Sequence, residues 1–177
     1  MKNIFKHLRK ILIHKWWVFY YACKLGIPLR GLLHDLSKFS WVEFGESIKY
    51  YQGDKSPIPV AKKDKGYSDA WQHHKGRNPH HYEYWVDWDE EGNEILIPMP
   101  YECVLELIAD YFGAFRAYNG YMNLLEEYKW WLKKRETIPV HPLTKSLISN
   151  IMVDIVNYNG HFNYEYWEDW YEEELKK

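Results

Sequence analysis

Apolar residues recur at helical spacing along most of this chain. Over residues 3–25 they repeat every three or four positions and stop at Gly26, which predicts a first helix. Ser40 is expected to cap a later helix, with Glu43 completing a capping box. The same period predicts further helices over residues 29–37, 41–51, 101–119, 126–135 and 143–158. The pattern therefore favours an all-α fold.

Polar and turn-forming segments separate these helices. Residues 52–66 are rich in Lys, Asp and Pro without an apolar period, so they are expected to form a surface loop. Ser68 is expected to cap a short helix that runs through His74. Two short apolar stretches within residues 86–97 flank a polar, glycine-containing turn, which predicts at most one small β-hairpin. The acidic, aromatic segment 161–177 is expected to pack one side against the body.

The composition fits one domain with a sizeable core, because the chain has 177 residues. The formal net charge is -2, so no long nucleic acid is expected as a partner. Cys23 and Cys103 are too few for a disulfide framework or a cysteine-rich zinc site, which suits a reducing cytoplasm. His14 and Lys15 interrupt the first apolar run, so neither a signal peptide nor a membrane span is expected.

Histidines and carboxylates gather around the pair His34-Asp35 at positions that the predicted helices bring inside. His14 shares the apolar face of the first helix, where a buried imidazole needs a partner. Asp110 lies on a face of mostly small residues in the helix 101–119. Imidazole and carboxylate are ligands of Zn, Mn, Fe and related ions, and one cation offsets the cost of burying several such groups. The combination predicts a metal site.

Each of these residues also has an ordinary structural interpretation. A lone histidine on an apolar helix face, such as His14, is more often a hydrogen-bonded core residue than a ligand. Asp35 and Lys38 have the spacing of a surface ion pair, and Glu106 with Asp110 could form a solvated stripe. Only the combination of these groups on three predicted helices favours a metal.

The order His14, His34-Asp35, His73 or His74, and Asp110 resembles the HD-domain superfamily of metal-dependent phosphohydrolases, whose pattern is H…HD…H…D on an α-helical bundle. The similarity is sharpest in the segments HDLSK and LIAD. With the segment HHKGRNPHH and the tryptophan-rich flanks, the chain also resembles a narrower family found in bacteria and their phages, domain of unknown function 5662. That narrower family brings no known reaction with it.

The superfamily resemblance implies an HD-like helical bundle. We expect one domain over residues 1–177, with a metal-site core at about residues 10–120. The C-terminal helices within residues 121–177 are expected to pack on that core.

Carried over by residue, the resemblance implies that one or two divalent transition metal ions (Mn, Fe, Co, Ni or Zn) bind to His14, His34, Asp35 and Asp110. In the two-metal branch of the superfamily the aspartate of the HD pair bridges the ions, and two further histidines join. Either member of the pairs His73-His74 and His80-His81 fits; we assign His73 and His80 to the metal. Ser37 stands where many members have Gly, and Asp154 is a reserve candidate.

The resemblance implies a metal-dependent hydrolase acting on a small phosphorylated substrate such as a nucleotide, with the metal activating water. Lys38 lies one helical turn after His34 and could reach a phosphate oxygen, and Arg77 could bind the phosphate through a bidentate fork. Both fit plain surface charges equally well. His74 or His81 could protonate the leaving oxygen, because imidazole titrates near neutral pH.

Two other classes of function fit the sequence. The first is an iron-dependent oxidase or oxygenase on the same scaffold, since a fold does not determine the chemistry. The second is a non-enzymatic module in which the histidines are structural and the aromatic segment 164–171 binds a partner. Bound iron with oxygen uptake would favour the first, and retained folding without metal the second. The oligomeric state is left open.

Overall fold

The computed structural model describes residues 2–53 and 55–177. Its α-helices, in chain order, are α1 Lys2–Lys24, α2 Pro28–Leu33, α3 Trp41–Tyr50, α4 Pro57–Lys65, α5 Asp69–Lys75, α6 Tyr101–Asn119, α7 Leu124–Lys134, α8 Pro142–Asn157 and α9 Tyr164–Leu175. Short 3-10 helices span Leu36–Phe39 and Tyr82–Trp85, and strand β1 (Val86–Trp88) pairs antiparallel with β2 (Glu94–Leu96). The prediction of an all-α fold with one small hairpin is confirmed.

Helices α1, α6 and α8 form the centre of the fold. Gly113 on α6 lets α1 approach closely, since a Cβ added there would lie 2.4 Å from Val18 Cγ2. The face of α8 that meets α6 is fully buried at Leu147, Ile148 and Ile151. No helix within the described ranges is both long and apolar enough to cross a membrane.

The aromatic C-terminal segment packs on the body, as predicted. The Tyr101 hydroxyl donates to the Tyr164 carbonyl at 2.8 Å, and the Tyr171 hydroxyl is buried against the Met99 carbonyl at 2.8 Å. Trp167 Nε1 donates to Asp154 Oδ2 at 2.8 Å. The carboxylate held in reserve as a metal ligand is therefore engaged by α9.

The expectation of a surface loop over residues 52–66 was wrong for its second half, which forms α4. The Ser56 side chain accepts a hydrogen bond from Ile58 N, and Pro57 occupies the first turn, where its missing N–H costs nothing. The apolar side of this helix buries only Pro57 and Ala61. Two positions are too few to reveal a helical period in the sequence.

The predicted helix over residues 29–37 is interrupted at the pair His34-Asp35. Helix α2 ends at Leu33, His34 leaves the helical region with φ -48° and ψ 130°, and Asp35 is left-handed with φ 55°. Aspartate is one of the few residues that tolerate this conformation, at a cost of about 1–2 kcal/mol. Gly31 places the break against α1, because a Cβ there would lie 2.3 Å from Ala22 Cβ. The interruption frees the two side chains from the 100° spacing of a helix, so both reach one centre.

Candidate metal centre

Asp35 lies at the centre of a buried cluster of histidines and is itself 1% exposed. Its Oδ2 atom is 3.1 Å from His34 Nε2 and 3.7 Å from His14 Nε2. Its Oδ1 atom is 3.2 Å from His74 Nε2 and 3.4 Å from His80 Nε2. The two oxygens of one carboxylate therefore face two different sets of histidines.

The first set joins α1, the break after α2, and α6. Its members are His14, His34, Asp35 and Asp110, each with a ligand atom within 4.8 Å of the others. Asp110 Oδ1 is 3.1 Å from His14 Nε2 and 3.4 Å from His34 Nε2. Two imidazoles and two carboxylates at this spacing could hold a metal ion.

The second set lies on the other side of Asp35. Its members are Asp35, His74, His80 and His81, again with ligand atoms within 4.8 Å of one another. His74 comes from the last turn of α5, and His80 and His81 come from the segment before the second 3-10 helix. Burial, and then the neighbouring His80, hold the pKa of His81 well below its usual value. Its ring is therefore neutral, as a metal ligand must be.

Most of the atoms that point into the two sets lack hydrogen bonds of acceptable geometry within the described residues. These are the Nε2 atoms of His14, His34, His80 and His81, and both carboxylate oxygens of Asp35, of which Oδ2 is in contact with the Lys38 ammonium group. Buried polar atoms without partners are costly and rare in folded proteins. One or two cations placed among these atoms would supply the missing partners, so the residues fit a metal centre.

Glu106 holds two of these histidines in the orientation that metal binding requires. Its Oε1 atom is 3.0 Å from Nδ1 of both His34 and His80, and its Oε2 atom accepts from Arg30 Nε at 2.9 Å. Burial alone would raise the pKa of Glu106, but the hydrogen bonds from His34 and His80 lower it to about 2. An ionised carboxylate only accepts, so both Nδ1 atoms carry the proton. In the neutral rings the Nε2 lone pairs are then left for a metal. Burial acts to lower the pKa of His34, but Asp35 and Asp110 raise it well above its usual value, so a metal would have to displace a proton from His34 Nε2.

Glu43 holds His74 in the same way. Its Oε2 atom is 2.8 Å from His74 Nδ1, and its Oε1 atom is 2.6 Å from His73 Nδ1. Burial alone would raise the pKa of Glu43, but the hydrogen bonds from the two histidines lower it. Ser40 does cap α3 by accepting from Glu43 N. The other half of the predicted capping box is wrong, because the Glu43 side chain faces the histidines.

Lys38 lies against the same carboxylate, with its ammonium group in contact with Asp35 Oδ2. Burial acts to lower the pKa of Lys38, but the carboxylates of Asp35 and Asp110 raise it above its usual value. Burial alone would likewise raise the pKa of Asp35, and His34 and Lys38 hold it well below its usual range. The centre therefore contains ionised carboxylates that require positive charge beside them.

Two neighbouring cavities open beside the candidate centre. The inner cavity has a volume of about 210 Å³, and its walls include His7, His14, Lys38, Ser47 and His74. The outer pocket has a volume of about 750 Å³, and its walls include Tyr82, Glu83, Tyr111, Glu127 and Trp130. His81 and Asp110 line both. A small molecule entering either space would therefore meet residues of the two sets.

The structure brings together most of the residues that the sequence singled out: His14, His34, Asp35, Lys38, His74, His80, His81 and Asp110. His73 stands apart, since its Nδ1 atom contacts Glu43 and it belongs to neither set found in the described part of the chain. Arg77 is exposed and is not among the residues that line the two cavities. Its position gives no support to a role in binding phosphate.

Sequence reasoning missed the two orienting glutamates. The sequence pattern places Glu43 in a helix cap and allows Glu106 to belong to a solvated stripe, yet both are buried. Glu106 lies four residues before Asp110 on the same face of α6. A carboxylate one turn from a candidate ligand, on a face of small residues, is the signal that could have identified it.

Comparison with protein families gives one match. Residues 3–154 match the model described as "Family of unknown function (DUF5662)". Comparisons with curated proteins and with solved structures found no match. Because the match spans most of the sequence and includes every residue of both histidine sets, the chain belongs to the DUF5662 family.

Proposed function

We propose that this protein is a metal-dependent hydrolase of small phosphoesters with two divalent transition metal ions, one on each side of Asp35. The observation that carries the proposal is the division of the Asp35 oxygens between two sets of inward-facing histidines. A carboxylate shared in this way is the arrangement that a two-metal site needs. The order of the residues along the chain, as in the HD-domain superfamily, supports the same chemistry and one HD-like domain over residues 1–177.

Seven side chains would hold the ions. His14, His34 and Asp110 would bind the first together with Asp35 Oδ2, and His74, His80 and His81 would bind the second together with Asp35 Oδ1. This set of ligands differs from the one expected from the sequence. His74 takes the place of His73, and both His74 and His81 bind metal instead of transferring a proton. The ions would be Mn, Fe, Co, Ni or Zn, which accept mixed imidazole and carboxylate ligands.

When bound, such ions polarise a phosphoryl oxygen and lower the pKa of water to near neutral. Side chains of the protein would bind the substrate and orient the ligands. Lys38 lines the inner cavity beside Asp35 and would bind a phosphate oxygen through its ammonium group. Glu106 and Glu43 keep the imidazoles in one orientation, which saves reorganisation when substrate binds.

The test is elemental analysis of protein purified without added metal or chelator, and again after loading with each of the five metals. We expect about two ions per chain in the wild type and none in Asp35→Asn. His14→Ala and His74→Ala should each lose about one ion. His73→Ala is the matched control, because His73 contacts the same glutamate as His74 but belongs to neither set.

Phosphate release from a panel of phosphoesters then tests the reaction. Hydrolysis that requires metal and is lost in Asp35→Asn would support the proposal. A wild-type protein that binds none of the five metals would overturn it. Bound iron with oxygen uptake and no phosphate release would replace the hydrolase with the oxidase hypothesis.

A further inference from the structure

A buried histidine outside both metal sets lines the inner cavity. His7 lies seven residues before His14 on α1, two helical turns away on the same face. It is 6% exposed, and neither of its ring nitrogens has a hydrogen-bond partner within residues 2–53 and 55–177. A buried polar group left without a partner destabilises the folded state. Both unpartnered nitrogens therefore belong to a residue of the cavity wall, where a hydrogen-bonding ligand would meet them.

Aromatic rings hold the His7 imidazole in place. The ring stacks on Phe44 with centroids 5.8 Å apart, and the Tyr51 ring lies 4.7 Å away at a tilt. These contacts fix the plane of the ring without using its nitrogens. His7 is therefore built as an oriented hydrogen-bonding group, as binding sites require.

His7 is neutral, whereas Lys38, which also lines the inner cavity, is positively charged. Burial, and then the charge of Lys38, lower the pKa of His7 to about 4. The ring is therefore neutral at neutral pH and offers one N–H donor and one acceptor. Lys38 supplies the positive charge next to Asp35, so the wall of the inner cavity includes both a charged donor and a neutral imidazole.

Hydroxyl groups accompany His7 in the same wall. Ser47 and Ser56 also line the inner cavity. A volume of about 210 Å³ lies below the ~300 Å³ at which ordinary ligand pockets begin. The wall around His7 therefore suits a small group that carries its own hydroxyls.

We propose that His7 is a specificity residue that hydrogen-bonds a hydroxyl of the alcohol portion of the substrate, which makes the substrate class the sugar phosphates. The proposal rests on the proposed function, since it assumes that the phosphate lies at Lys38 and the metal centre. Ribose 5-phosphate and adenosine 5'-monophosphate share the hydroxylated sugar, so both serve as probes. p-Nitrophenyl phosphate, which has no hydroxyl on its alcohol portion, is the reference.

The first measurement is the ratio of kcat/KM for ribose 5-phosphate to kcat/KM for p-nitrophenyl phosphate. We expect His7→Phe, which keeps a ring on Phe44 but has no hydrogen-bonding atoms, to lower this ratio about tenfold through KM. His7→Gln, which restores a donor and an acceptor, should recover part of it. An unchanged ratio, or an equal loss on both substrates, would overturn the proposal. The corresponding ratio is also measured for adenosine 5'-monophosphate. If it falls while the ratio for ribose 5-phosphate does not, His7 contacts the base and the proposal is overturned.

A binding experiment separates this proposal from the hydrolase itself. In zinc-loaded wild-type protein, the NMR signal of the His7 Cε1–H group should shift on addition of ribose 5-phosphate and stay in place with inorganic phosphate. The signal is assigned by its absence in His7→Gln. A shift without any hydrolysis would support the His7 site and contradict the hydrolase. Hydrolysis without a shift would support the hydrolase and contradict the His7 site.

Discussion

The Oε1 atom of Glu106 lies 3.0 Å from Nδ1 of His34, which leaves the other ring nitrogen of His34 facing Asp35 at 3.1 Å. The two residues are 72 positions apart in the chain. Their contact decides which nitrogen carries the proton, and therefore whether His34 can bind a metal. Glu106 is thus as much a part of the candidate centre as the residues that face Asp35.

Replacing Glu106 with Gln should lower metal affinity about 10- to 100-fold, because an amide can donate as well as accept and no longer defines the proton position. Competition with a chromogenic chelator measures the affinity. Glu102→Gln is the matched control, since Glu102 lies one turn earlier on α6 with a side chain that is 58% exposed. Equal affinities in Glu106→Gln and the wild type would contradict the orienting role.

Lys38→Met should lower kcat/KM for phosphoesters by about 10- to 150-fold, the value of one hydrogen bond to a charged group. Its ammonium group is the charged donor that lines the inner cavity beside Asp35. The substitution of Lys38 should leave the bound metal in place, as elemental analysis would show. Arg77→Met tests the competing sequence hypothesis, and the exposed position of Arg77 predicts a change of less than about twofold. A larger effect for Arg77 than for Lys38 would reverse the assignment.

Removing the metal should destabilise the fold. Binding to the folded state alone adds about 4 kcal/mol per ion to the free energy of unfolding when free metal is 1,000 times its Kd. Urea unfolding with and without EDTA measures the difference. Asp35→Asn should show no dependence on EDTA, because it lacks the carboxylate that both sets share. If the wild type is equally insensitive, the centre holds no metal under those conditions.

Glu127 should make the metal-free protein less stable as pH rises from about 4.5 to about 7. Its side chain lines the outer pocket, is 5% exposed, and has its pKa raised to about 7 by burial and then by Asp110. Between pH 4.5 and 7 the folded state binds more protons than the unfolded state, so the free energy of unfolding falls as pH rises through this window.

Glu127→Gln removes this dependence. In EDTA the variant should match the wild type near pH 4.5 and exceed it at pH 8 by up to ~3 kcal/mol, from about 1.4 kcal/mol per pKa unit. Urea unfolding at the two pH values measures the difference. Glu172→Gln at an exposed position of α9 is the control, and its curve should run parallel to that of the wild type. A variant less stable than the wild type at pH 8 would show that Glu127 is held by an attractive contact.

The sequence alone determined the elements whose signals are local. The boundaries predicted for α6, 101–119, agree with the structure, and Ser68 caps α5 through a hydrogen bond from Trp71 N. The hairpin also lies where the sequence places it. Helix period, capping residues and turn residues depend on neighbours within one or two turns, so one sequence contains the information.

Only the tertiary structure decided which groups meet. The sequence predicted a helix through His34-Asp35, whereas packing of Gly31 on α1 and the left-handed Asp35 end it there. The sequence also left His73 and His74 open, and the structure turns His74 Nε2 to 3.2 Å from Asp35 Oδ1. Neither composition nor helical period distinguishes two adjacent histidines. The choice between them depends on a carboxylate 39 residues away, and only the folded chain sets that distance.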